Sequence, residues 1–333
     1  MAEIRPGIWS LPVIWPGSAL GYTLAYLVSH DGGGTLVDTG WPSETGWETL
    51  VSGIRLTGHD LADIRHVLVT HAHPDHLGIA ARVREVSGAL VGMHPADAES
   101  VRSLRQAGPA SWMAPWMRAR GAPPDEVAEI VAVLSGGSDW KSWQAEADLL
   151  IEDGSRPADG TALRAVWTPG HTPGHLCFHD EDRNLLLTGD HVLPKISPHI
   201  SHDREPGHDD PLGDYLSSLA RLTRYSPAEV LPAHEYRFTG LGARVTALLA
   251  HHQARLAEIE HAVGSAPGAP TWRIAELLTW SRGWEQTRGM QRRAAVSETL
   301  AHLVHLDRLG RVSNDGRGVD AWQPGPAMVA DRG

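Results

Sequence analysis

Within six residues the chain carries four side chains able to ligate a metal ion: His71, His73, Asp75 and His76, in the run Thr-His-Ala-His-Pro-Asp-His-Leu-Gly. Imidazole nitrogen and carboxylate oxygen suit zinc, iron or manganese. His71 and His73 are two apart, so in extended backbone both rings point the same way. Pro74 breaks the extended run and turns Asp75 and His76 toward a neighbouring point. One loop can therefore feed two adjacent metal positions. A polar loop of solvated histidines is the plainer reading. It loses because three more ligand-type residues recur downstream in similar contexts.

The elements that position this cluster are legible around it. Val67, Leu68 and Val69 form a short apolar run that predicts a buried strand. The polar cluster follows at its C-terminal end, before a helix predicted from about Leu77 to Val86. Upstream, Gly7–Leu11 and Tyr22–Val28 read as strands. Asp31 to Gly34 reads as a hairpin turn leading into a strand from Thr35. Ser43 caps a helix to about Arg55, with Glu44 in its first turn. Strands are predicted at 89–93, 161–168, 184–188 and 228–232, and helices at 211–224 and 240–262.

His71-Ala-His73-Pro-Asp75-His76 resembles the HxHxDH signature of the metallo-β-lactamase fold superfamily. That family also needs a later His, a bridging Asp and a last His, each in a loop after a strand. The matching positions, in order, are His171 in Thr-Pro-Gly-His-Thr-Pro-Gly-His, Asp190 in Leu-Leu-Leu-Thr-Gly-Asp and His234 in Val-Leu-Pro-Ala-His-Glu. The resemblance covers roughly residues 5–262. It implies an α/β fold, the αββα sandwich, as one domain over 1–262, followed by a small helical, winged-helix-like domain over 271–318.

The resemblance also implies a ligand set. His71, His73 and His171 hold one divalent ion; Asp75, His76 and His234 hold the other; Asp190 joins them. Two ions about 3.5–4 Å apart can each take one oxygen of such a carboxylate. Zinc is the expected metal, with iron or manganese as alternatives. The implied reaction is attack of a metal-bridging hydroxide on the carbonyl of a thioester, ester or lactone. Asp75 and Asp190 are the catalytic carboxylates, Asp75 orienting the nucleophile or passing a proton. The metal set resembles the glyoxalase II-like branch, but that branch's basic glutathione-binding residues have no counterpart here. A single-strand RNA phosphodiesterase of the same fold is the alternative, suggested by the tail. A non-catalytic or oxygen-reactive metal protein is a third. No Gly-x-Ser-x-Gly elbow is present.

Other residues read less sharply. Asp38, in Asp-Thr-Gly, is either an orienting partner of a ligand histidine or an Asx-turn residue. His94 reads as a loop histidine, His175 as core or as support for the ligands, and Cys177 as a buried small hydrophobe. Residues 191–210 form a loop with His191, Lys195, His199, His202 and His208. There Lys195 and His199 are candidates to touch substrate. Residues 95–147 form a helical insertion interrupted by prolines. Its Trp112 and Trp116 are candidates to hold an acyl or aromatic group, and Trp140 and Trp143 follow. It reads as a lid or a homodimer contact.

Composition bounds the function classes. The net charge of −11 argues against a general nucleic-acid binder. Residues 271–318 hold eight arginines against five acids, too mild an excess to overturn that, so the tail reads as packing or dimerisation. The expected partner is a small molecule. The single cysteine excludes an intrachain disulfide. With no apolar leader at the N-terminus and no run of about 18 apolar residues, the expectation is a cytoplasmic protein with no membrane partner.

Overall fold

The structure is a computed structural model that describes residues 1–135, 145–203, 209–315 and 317–326. Trp140, Trp143, His208 and Gly316 lie outside the described residues. Two compact units emerge. The first comprises 1–105, 139–198 and 217–246; the second comprises 106–138, 199–216 and 247–333.

The first unit is built on two sheets. Seven strands run in chain order: β1 (Ala2–Arg5), β2 (Ile8–Ile14), β3 (Tyr22–His30), β4 (Gly33–Val37), β5 (Ile64–Leu68), β6 (Leu90–Met93) and β7 (Leu149–Leu150). Pairing is antiparallel from β1 to β4 and parallel from β4 to β7. The second sheet has β8 (Leu163–Trp167), β9 (Leu176–Asp180), β10 (Leu185–Gly189) and β11 (Glu229–Pro232), in the order β11-β10-β9-β8.

One face of each sheet meets the other. Ile8, Leu24, Val28, Val37 and Leu68 pack on Leu163, Leu176, Phe178, Leu187 and Leu231. Buried backbone groups are satisfied across this layer: Leu24 N–H donates to Ala233 O, Leu176 N–H to Thr70 O, and Tyr26 Oη–H to Pro232 O. The outer face of the large sheet is covered by α1 (Glu44–Leu56), whose Leu50 and Ile54 join Leu11, Leu27, Leu36 and Val67. Ser43 caps α1, its hydroxyl accepting from Gly46 N–H at 3.0 Å. The architecture is the expected αββα sandwich with an added C-terminal helical region.

Helices near the cluster depart from expectation. The first turn after β5 is already helical: α2 (Pro74–Leu77) precedes α3 (Ala80–Ser87). Pro74 occupies the first helical position, where its fixed φ and missing N–H cost nothing. Asp75 and His76 therefore stand on a helical turn rather than in open loop.

The second unit is helical: the C-terminal end of α4 (Pro95–Ala107), then α5 (Pro109–Ala119), α6 (Pro124–Ser135), the start of α7 (Pro211–Leu222), most of α8 (Leu241–Ser265), α9 (Thr271–Leu277) and α10 (Gly289–Arg308). A small antiparallel pair, β12 (Val312–Asn314) and β13 (Trp322–Pro324), follows. Helix α5 continues through Pro115. Helix α10 runs unbroken from Gly289 to Arg308, because no proline or glycine interrupts it after Gly289. Glu126 of α6 pairs with Arg292 of α10, both nearly buried. Arg120 pairs with Asp320 at 2.9 Å.

Candidate metal centre

The strands of the first unit end where the chemistry begins. His71 follows β5, His171 follows β8, Asp190 follows β10 and His234 follows β11. All seven sequence-predicted ligands belong to this unit, and the fold brings them together. The ring nitrogens of His71, His73 and His171 lie 2.9, 3.0 and 3.1 Å apart pairwise. Ligands about 2.0–2.1 Å from a tetrahedral ion would be separated by about 3.3 Å, so the triad has close to the spacing of one ligand face.

A second group adjoins it. His234 Nε2 lies 3.2 Å from Asp75 Oδ2, and His76 Nε2 lies 3.5 Å from the same oxygen. Asp190 stands between the groups. Its Oδ1 is 3.3 Å from His234 and 3.6 Å from His76, while its Oδ2 is 3.6 Å from His171. His76 Nε2 and Asp190 Oδ1 are buried without a hydrogen-bond partner. Buried polar atoms left this way are costly; a cation among them resolves the deficit. The donor set therefore fits two divalent ions.

Charge follows the same geometry when no ion is bound. Burial alone pushes the Asp75 carboxyl up, but the His76 and His234 rings outweigh it and hold the group below the usual carboxylate range. Burial opposes charge on His234, yet Asp190 and Asp75 raise it to about 10. Burial pushes His71 well below its ordinary value, and the neighbouring rings add to that.

Support comes from residues that hold the ligands. Among the described residues Asp38 is one of three non-glycine residues at positive φ, at 60°. Its carboxylate accepts Thr70 N–H and Thr70 Oγ1–H at 2.8 Å each, and lies 2.8 Å from His76 Nδ1. A proton on that Nδ1 leaves Nε2 bare toward the second group. Of the two readings of Asp38, the orienting one matches this geometry. His175 Nε2 accepts Asp190 N–H at 3.2 Å, and its Nδ1 lies 2.8 Å from Thr168 Oγ1. Glu235, also left-handed at φ 67°, follows His234; its Oε2 accepts Lys195 N–H and Ile196 N–H.

Sequence reasoning missed Asp97. Fully buried near the start of α4, it gathers both loops of the first triad. Its Oδ2 accepts Ala72 N–H at 2.7 Å and Thr172 Oγ1–H at 2.9 Å; its Oδ1 accepts Gly174 N–H at 2.6 Å. A Cβ on Gly174 would sit 2.5 Å from that oxygen, so only glycine permits the approach. Nothing local marked this residue, since an acid in a helix's first turn is ordinary. His94 stacks on Trp167, whose indole N–H donates to Pro173 O beside His171. Cys177 is buried, and burial pushes its thiol up to about 12.

The candidate substrate residues divide. Lys195 is exposed in the first unit, its ammonium 5.5 Å from the Tyr236 ring. His199, Trp112 and Trp116 belong to the second unit and have partners there. His199 Nδ1 lies 3.4 Å from Glu298. The two indoles meet edge to face at 6.4 Å, under the Arg293 guanidinium.

Comparison with known proteins agrees with this geometry. Residues 19–234 match the sequence model of the family described as the Metallo-beta-lactamase superfamily. The lactamase-like protein adaB of Aspergillus niger is 28% identical over 239 residues, 71% of this chain but only 57% of that protein. The chain thus spans little more than half the length of that relative. The atrochrysone carboxyl ACP thioesterase dmxR1 of a Cryptosporiopsis species is 23% identical over 312 residues, 90% of this chain and 79% of that one. A metallo-beta-lactamase family protein from Thermus thermophilus superposes with a TM-score of 0.80 at 28% identity, covering 97% of this chain and all of its own. A beta-lactamase domain protein from Burkholderia ambifaria superposes with a TM-score of 0.74 at 28% identity, covering 97% of this chain and 94% of its own.

Proposed function

The chain belongs to the metallo-beta-lactamase superfamily, and from that premise we propose that it is a dinuclear metal-dependent hydrolase acting on a thioester, ester or lactone. The observation that carries the reading is Asp190, with one carboxylate oxygen toward each ligand group. Thioester is the preferred class, supported by a relative whose name is that of an acyl carrier protein thioesterase. Zinc is the preferred metal, on the mixture of imidazole and carboxylate donors.

A divalent pair held by these residues supplies water activation near neutral pH and polarises the substrate carbonyl. The chain's own groups do the rest. Asp190 fixes the spacing of the two ligand groups. Asp75, whose carboxylate lies 3.2 Å from His234 and 3.5 Å from His76, would orient the attacking water and accept its proton for delivery to the leaving group. Asp38 holds the His76 ring in the tautomer that presents Nε2. Lys195 draws the charged end of an anionic substrate toward the site.

The test is a panel of S-acyl-N-acetylcysteamine thioesters, aryl esters and lactones, assayed with zinc and with chelator. We expect thioester turnover that chelator abolishes and zinc restores. Asp75→Asn should lower kcat by about 10²–10⁴-fold, with folding intact by circular dichroism. Turnover that survives complete metal removal would exclude the reading.

A second reading, a single-strand RNA phosphodiesterase, rests on α10 followed by the β12–β13 pair, a winged-helix-like arrangement. The acidic balance disfavours it. No retention of single-stranded RNA on a filter at low salt would remove it.

A further inference from the structure

Two tryptophans far apart in sequence meet beside the candidate centre. Trp15 and Trp41 stack with centroids 4.6 Å apart and planes 14° from parallel. The Trp15 ring lies 6.4 Å from that of His234. Both indoles are half-buried, so part of each remains open. All three residues belong to the first unit.

The pair is held from both ends. Trp15 opens the turn after β2, its N–H donating to Gly21 O at 2.9 Å and its carbonyl accepting from Ser18 N–H at 3.2 Å. Ile14 N–H, just before it, donates to Thr49 Oγ1 of α1. Trp41 immediately follows Gly40, whose φ is 94° and where a Cβ would lie 2.3 Å from Val13 Cγ1. The turn after β4 is thus pressed on the end of β2, and the indoles stack as a consequence. Contacts to β2 and α1 pin the two turns that carry the surface.

We infer that the Trp15–Trp41 pair is the wall that receives the acyl portion of the substrate, and that it selects planar aromatic acyl groups. The inference rests on the thioester hydrolase reading and deepens it. Aromatic rings prefer offset or edge contact with such a face. A cation would also be attracted to indole, but two dications held by two site carboxylates leave a net positive centre that repels it. An aromatic acyl group seated on Trp15 would lie beside His234, one of the candidate metal ligands. The wall is thereby assigned to the turns after β2 and β4 of the first unit rather than to Trp112 and Trp116.

The experiment compares S-naphthoyl-, S-benzoyl- and S-acetyl-N-acetylcysteamine on the zinc-loaded full chain, with Trp15→Ala and Trp15→Phe. The ratio of kcat/KM for naphthoyl over acetyl should fall about tenfold in Trp15→Ala and recover in Trp15→Phe. Calorimetry with S-(naphthylmethyl)-N-acetylcysteamine, a thioether that cannot be hydrolysed, reads binding alone, and zinc content is measured on each variant. Weaker thioether binding in Trp15→Ala at full zinc content supports the wall. An unchanged naphthoyl-to-acetyl ratio overturns it, as does tighter binding of a trimethylammonioethyl thioether than of the aromatic one. If the zinc-loaded chain hydrolyses no acyl derivative, the hydrolase reading fails. The thioether still decides the wall: binding lost in Trp15→Ala supports it, and no binding to the unaltered chain overturns it.

Discussion

Asp38 shows how much one side chain outside the ligand set can govern. It sits at φ 60° and gathers Thr70 and the His76 ring. Asp38→Asn keeps a residue tolerant of that backbone but removes the charge facing His76 Nδ1. We expect zinc affinity at the Asp75–His76–His234 group to fall about 10–100-fold, read by competition with a chromophoric chelator. Unaltered affinity would deny Asp38 its orienting role. Protons make a second residue-scale test. In the metal-free protein Asp190 and Asp75 overcome burial and raise His234 to about 10, and His76 is raised well above its ordinary value. A group raised in the folded state stabilises fully below its ordinary value of about 6.5 and ceases to as pH climbs through its folded value. Metal-free melting temperature should therefore fall from pH 7 to pH 10. Zinc needs those nitrogens bare, so its affinity should rise over the same interval, with protons released on titration. Titrations in two buffers of different ionisation enthalpy measure that release; none at pH 7 would contradict the assignment.

Elements explain both what was legible and what was not. The candidate ligands are legible because His71 to His76 concentrate scarce chemistry in six positions, and because His171, Asp190 and His234 each close an apolar strand. Asp97 did not, since its partners Ala72, Thr172 and Gly174 lie 25 to 77 positions away. Its importance exists only once α4 stands against two loops. Asp97→Ala would leave two buried donors, Thr172 Oγ1–H and Gly174 N–H, and the half-buried Ala72 N–H without their acceptor, at about 1–3 kcal/mol for each buried one. The expected result is a lower melting temperature and preferential loss of the ion at His71, His73 and His171 on dialysis, with metal content by mass spectrometry as the measure. Equal loss from both positions would show a general effect on folding. The aromatic wall we infer at Trp15 and Trp41 has no local signal for a related reason. Tryptophan density drew attention to 112–116, whereas Trp15 and Trp41 are isolated in sequence and meet only because Gly40 lets β4's turn press on β2. Pro74 likewise reads as a strand breaker, and its equal fitness as a first helical residue moved Asp75 and His76 onto a helix.

For the whole molecule, the decisive fact is that the second unit is discontinuous. It gathers 106–138, 199–216 and 247–333, so α5 and α6 find partners in the final third of the chain. Glu126 with Arg292 is a nearly buried ion pair. Arg292→Met would strand the Glu126 carboxylate and cost about 3–5 kcal/mol, read by chemical denaturation. The expected domain boundary falls between residues 262 and 271, in the run Gly264 to Pro270. We expect a chain ending at residue 262 to expose α5 and α6 and to aggregate or melt at lower temperature. A soluble 1–262 fragment as stable as the intact chain would refute this. The described residues include no helix long and apolar enough to cross a membrane.

Synthesis order then matters. Helix α5, with Met113, Trp116 and Met117 buried in the finished protein, leaves the ribosome roughly 170 residues ahead of α10. At about 5–20 residues per second that is a wait of about 10–30 seconds with sticky side chains uncovered. Yield in a heterologous host should therefore respond to chaperone supply and to slower translation at low temperature.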